Sequence, residues 1–190
     1  LAIQRGRCLD QPGHTEGRKI GRKNAFHASH GGFHCAAGVA DVCQALARIG
    51  HSGISVFDIS KISIVYYSPN YGELLGYNRS DFEAQGQKFF DEKIHPTDKL
   101  HLSQHGITTL KLFDNFSIDE KKNHKLVNEY RMLNASNRYV RLIEQHQVLE
   151  LDKSGQLWLM LSLVDISPDQ EVSNGIKSQL LNFKTGHIIP

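Results

Sequence analysis

The last third of the chain constrains the fold most. Residues 125–134, 138–151 and 157–166 are three long runs in which apolar side chains alternate with others. Asn134, Ser136 and Asn137 separate the first two runs, and Asp152, Ser154 and Gly155 the last two. These residue types form tight turns, because Gly accepts positive φ and short polar side chains bond the turn backbone. Long alternating runs joined by short turns predict consecutive antiparallel strands.

Two shorter runs, residues 54–59 and 62–67, are rich in Ile, Val, Phe and Tyr and predict a hairpin upstream. Helices are expected between the two β blocks. Pro69 halts the strand, and Asn70 is expected to cap a helix that places Tyr71, Leu74 and Leu75 on one face and ends at Gly76. Ser80 and Glu83 fit a capping box at the head of a second helix, which carries Phe89 and Phe90. Pro96 suits the first position of a third, where its missing N–H costs nothing, and Asp98 meets the positive end of its dipole. That helix is expected to run to about residue 113, burying Leu100, Ile107, Leu110 and Phe113, with a polar loop over 114–123. The fold class is therefore α+β: a five-stranded antiparallel sheet with helices on one face and its first strand beside its last.

Charge divides the chain. Residues 1–50 hold seven Lys/Arg against three Asp/Glu, all three cysteines and half of the 16 glycines, whereas residues 51–190 hold 15 Lys/Arg against 17 Asp/Glu. The leader reads as irregular up to a short amphipathic helix at 36–49, in which Val39, Val42, Leu46 and Ile49 form an apolar stripe. No run approaches the roughly 18 to 20 apolar residues that span a bilayer, and no signal peptide is visible, so a cytoplasmic location is expected.

Four phrases, in order, carry a family resemblance. Tyr67-Ser68-Pro69-Asn70 followed by Leu74-Leu75-Gly76-Tyr77, then Ile94-His95-Pro96-Thr97-Asp98, then the Asp152–Gly155 turn, then Leu163-Val164-Asp165-Ile166-Ser167 together resemble PAS domains. The wording is most similar to the N-terminal sensor domains of bacterial LuxR-type transcription regulators. That resemblance implies a non-catalytic sensory and relay domain over 51–168, binding a small ligand or mediating dimerisation. It further implies that 169–190 is a linker toward an output domain, through which alone DNA would be reached. Residues 1–50 carry none of the family's features.

Chemistry is sparse. The sequence holds no Gly-x-Ser-x-Gly elbow, no phosphate-cradling Gly-rich loop and no His-Glu-x-x-His zinc helix, so no enzyme is expected. Flavin photochemistry of the thiol-adduct kind is excluded by the lack of cysteine in 51–190. Haem needs an axial His, but His101 and His105 fall outside the Leu100/Ile107/Leu110 stripe and are expected in solvent. The alternative to a sensory reading is a metal-binding leader built on His27, His30, His34 and Cys35, although Gly31-Gly32 interrupts the set and no Cys-x-x-Cys pair occurs. The basic pairs Arg18-Lys19 and Arg22-Lys23 read as a solvated charge run. If a small-molecule signal enters the fold, Phe57, Phe90, Leu110, Tyr130, Ile143, Leu161 and Leu163 are the candidate pocket lining. In the last run Leu159, Leu161 and Leu163 are assigned to the core side. Trp158, Met160 and Val164 then make an apolar outer face, expected to be covered jointly by the helix at 36–49 and by the same face of a second chain in a homodimer.

Overall fold

Alternation places its strands where expected, and two more join them. The computed structural model describes residues 36–189 apart from 69, 84 and 172–174. The strands are β1 (Gly53–Asp58), β2 (Ser63–Tyr67), β3 (His124–Leu133), β4 (Tyr139–Leu151), β5 (Leu157–Ile166), β6 (Lys177–Asn182) and β7 (Ile188–Ile189). They form one antiparallel sheet in the order β2-β1-β5-β4-β3-β6-β7, with β1 beside β5. Seven strands replace the expected five because β6 pairs along the free edge of β3 and β7 folds back on β6. The stretch read as a linker is thus partly sheet. β6 is short, and what holds it is an edge some fifty residues upstream, which no local pattern reports.

The helices are α1 (Ala36–Gly50), α2 (Arg79–Glu83), α3 (Gln87–Lys93), α4 (Pro96–Asp114) and α5 (Ile118–Asn123), with a 3-10 turn at Glu73–Leu75. Pro96 opens α4 and Gly76, at φ 78°, closes the 3-10 turn, both as expected. Several local details differ. α2 starts at Arg79, so Ser80 lies inside it, and the reciprocal bond comes from Asp81, whose carboxylate accepts from the Asn78 N–H at 2.8 Å. The capping box that does form is Ser117 with Glu120, and it makes the supposed polar loop at 118–123 into α5. Asn70 caps nothing. Its amide donates to the carbonyls of Ala47 (3.1 Å) and Ser52 (2.9 Å), tying the end of α1 to the start of β1.

The sheet is covered on both faces. On one, Tyr71, Leu75, Tyr77, Phe82, Phe89 and Phe90 pack over Tyr130, Met132, Leu142 and Val164. Gly72 lets the chain approach this core closely, since a Cβ there would lie 2.2 Å from the Phe82 ring. On the other face α1 lays Cys43 and Ala47 over Ile54 and Val56, with Leu159, Leu161 and Leu163 packed against them. Full burial of Ile54 and Val56 is worth about 1.5 to 3 kcal/mol each.

This reverses the expected assignment of β5. Val164 is buried beneath the helices, and Met160, paired with Phe57 and Val148, shares its side, while Leu159, Leu161 and Leu163 face α1. Trp158 is half-buried at a register shift. α1 also presents a different face inward: Cys43 and Ala47 are buried, and Val42, Leu46 and Ile49 are 59%, 47% and 81% exposed. The same inversion occurs in α4. Of its residues only Asp98 and Phe113 are buried, and Leu100, Ile107 and Leu110 face solvent. α4 is anchored near its ends, by Asp98 on Arg131 and by Phe113 against Leu126 and Leu180, with Leu102 on the first core cluster. No helix among the described residues is long and apolar enough to cross a membrane.

Candidate functional site

Strand register lines up polar side chains on the helix-covered face. One row across the sheet reads Leu180, Leu126, His146, Ser162 and Ser55, and the next reads Ser178, Asn128, Glu144, Val164 and Gly53. Ser55, Asn128 and Ser162 are buried. Polar groups at the centre of a core face cost free energy unless they bond one another. Here they do. Ser162 Oγ donates to Glu144 Oε1 at 2.5 Å, His146 Nε2 lies 3.4 Å from Glu144 Oε2, and Ser178 Oγ donates to Asn128 Oδ1 at 2.8 Å. Tyr130 lies close enough to Glu144 to favour its carboxylate as well.

Burial alone would raise the Glu144 carboxyl. The neighbouring His146 charge, the bonds from His146 and Ser162, and Tyr130 outweigh it and hold the group down to about 2. Burial likewise works to lower His146, but Glu144 wins and raises it. At neutral pH Glu144 is a carboxylate, and its presence favours the imidazolium form of His146. Three tyrosines stand around the pair. Burial, with Glu144 nearby, raises Tyr67, Tyr71 and Tyr130 above the ordinary phenol range. Tyr67 packs its ring against Tyr71 and Phe90, at 5.0 and 5.4 Å between centroids. Its buried hydroxyl finds no hydrogen-bond partner among the described residues. The arrangement offers one free donor, a carboxylate–imidazole pair and aromatic walls: the equipment to orient a small polar molecule.

Few of the residues expected to line a pocket meet there. Tyr130 and Phe90 belong to the helix-side core, and Phe57 pairs with Met160 on the same face. Leu161 and Leu163 pack under α1 on the opposite face, Ile143 points the same way by alternation, and Leu110 is exposed, so these four cannot line one cavity with the rest. Glu144, His146 and Ser162 were missed. The signal available was the interruption of an apolar strand by Glu144-Gln145-His146, which only the pairing with Ser162 and Tyr130 turns into a site. The Leu100/Ile107/Leu110 stripe that His101 and His105 avoid is itself the solvent side of α4. His105 is exposed, as expected, and borders a cleft under α4, whereas His101 is half-buried. His27, His30, His34 and Cys35 lie outside the described residues. Among the described ones no group of three or more His, Cys, Asp or Glu is arranged to hold a metal ion.

The PAS fold profile matches residues 64–164. Among curated proteins none matches. Solved structures resemble the chain at low identity. A sensory box histidine kinase/response regulator from Burkholderia thailandensis is 18% identical with a TM-score of 0.47, over 65% of this chain and 82% of that one. The PAS domain of a Colwellia psychrerythraea protein is 16% identical with a TM-score of 0.49, over 70% and 97%. The VqmA dimer of Vibrio cholerae, described as a LuxR-type receptor, is 14% identical with a TM-score of 0.39, over 66% and 51%. With the profile spanning more than half of its residues, and a helix-covered antiparallel sheet to match, the chain belongs to the PAS fold family of sensory modules.

Proposed function

We propose that this chain is the non-catalytic sensory part of a signalling protein, and that a small polar ligand docks on the helix-covered face against Glu144, His146 and Tyr67. One observation carries the reading: a carboxylate–imidazole pair and an unpartnered tyrosine hydroxyl sit on a core face that apolar side chains would fill more cheaply. The reading uses no cofactor. Cys8, Cys35 and Cys43 all precede β1, so the chain from β1 onward holds no thiol for a flavin adduct. The test is native mass spectrometry of the purified chain and of Tyr67→Phe and His146→Phe variants. A small molecule retained by the parent and lost from both, with folding intact by circular dichroism, supports the site. Equal retention by all three sinks it.

A second role, homodimerisation, is favoured by a different surface from the one first expected. Val42, Leu46 and Ile49 recur at four- and three-residue spacing on the exposed side of α1, the seam spacing of paired helices. Leu46→Glu should then convert a dimer into a folded monomer in sedimentation equilibrium; a parent that already sediments as a monomer refutes the dimer. In this reading the domain acts in the cytoplasm upstream of a DNA-reading domain, as its resemblance to LuxR-type sensors implies, and makes no DNA contact itself.

A further inference from the structure

A cleft of about 70 Å³ opens between the second half of α4 and the β6–β7 hairpin, lined by His105, Thr108, Thr109 and Ser178 above Leu126 and Leu180, with Leu112 and Ile189 closing it. Its far wall, from β6 and β7, lies beyond the residues that the family profile matches, and its floor is one register position away from His146. Two features define what it can hold. Among the described residues no Lys, Arg, Asp or Glu lines it and His105 is its one titratable side chain, so it offers a charged ligand no permanent counter-ion. Two of its hydroxyls have already given their protons away: Thr108 Oγ1 donates to the Gln104 carbonyl at 3.0 Å, and Ser178 Oγ donates to Asn128 Oδ1 at 2.8 Å. Both then present only lone pairs to the cleft. α4 is able to roof such a space because it is anchored near its ends and turns its larger apolar side chains outward.

We infer that this cleft is a second binding site, separate from the Glu144–His146 pair, for a small uncharged molecule with an apolar body and a hydrogen-bond donor. The apolar part rests on Leu126 and Leu180, and the donor meets Thr108 and Ser178. A bound molecule bridges α4 to the hairpin and so ties β6–β7 to the helical layer.

The probe pair is isobutanol and its isomer methyl isopropyl ether, which have equal heavy-atom counts and differ in the donor. Titrated into the full chain and followed by amide chemical shifts, isobutanol should move Thr108, Thr109, Ser178 and Leu180 with a millimolar dissociation constant. The ether should bind about tenfold more weakly, the cost of one lost hydrogen bond. Thr108→Val, at an exposed helix position where folding is safe, should narrow that preference. Equal binding of the two isomers, an unchanged preference in Thr108→Val, or no shifts up to the solubility of the alcohol overturns the assignment. Shifts gathered at Glu144, His146 and Ser162 instead also overturn it, and leave the site of the proposed function standing.

Discussion

Asp98→Ala should be among the most damaging single changes in this chain. Asp98 is completely buried at the third position of α4, where the sequence suggested only a favourable dipole contact. Its carboxylate accepts from Arg131 Nη2 at 2.6 Å, Arg131 Nε at 2.9 Å and the Arg131 backbone N–H at 2.8 Å. Bonds to a charged group contribute about 1.5 to 3 kcal/mol each, and removing one partner of a buried pair costs about 3 to 5 kcal/mol. Arg131 keeps 16% of its side-chain surface in water and a 3.3 Å contact from Nη2 to His95 Nδ1, so part of its hydration is recoverable. The expected loss is therefore at the lower end, about 3 kcal/mol by urea denaturation at pH 7. It should also be local: the first half of α4 has little else holding it, so its amides should exchange faster before those of β3 and β4 do. The double variant Asp98→Leu/Arg131→Met, which leaves no orphaned charge, should recover most of the loss. A loss below about 1 kcal/mol, or uniform exchange with no preference for α4, would refute the anchoring argument.

Burial alone would raise the Asp98 carboxyl, but Arg131 holds it below the ordinary carboxylate range, so its contribution is present above about pH 4 and fades as pH falls through the folded value. For His146 the sign is opposite. Its raised value means stability is fully present below about pH 6.5 and lost as pH rises through the folded value, so the melting temperature should decline on the alkaline side and His146→Asn should flatten that decline. Asn70→Ala should cost about 2 kcal/mol, because it orphans the Ala47 and Ser52 carbonyls, and should speed hydrogen exchange in α1 ahead of the sheet. Ile62 sits at φ 51° in the β1–β2 turn with 80% of its surface exposed, a costly conformation for a β-branched residue. Ile62→Asn should raise stability by about 0.5 to 1 kcal/mol, and a neutral or destabilising result in denaturant titration would contradict the strain.

What the sequence determined by itself was local. Alternation located β3, β4 and β5, Pro96 marked the start of α4, Gly76 ended a turn, and four phrases carried the family, because each of these depends on neighbours within a few residues. What only the tertiary structure decided was which side of each element looks inward. In β5 both faces are apolar, so a period of two separates Val164 from Leu163 without saying which lies under the helices. The choice follows from α1 settling on the opposite side with Cys43 and Ala47. Helical spacing likewise groups Leu100, Ile107 and Leu110 but cannot tell a buried stripe from an exposed one when end anchors, Asp98 on Arg131 and Phe113 on Leu126 and Leu180, hold the helix. The site escaped for the same reason. Glu144 and His146 stand two apart on one strand, while Ser162, Tyr130 and Tyr67 come from three others, and the low dielectric of a shared core turns them into one electrostatic unit only after the strands have paired.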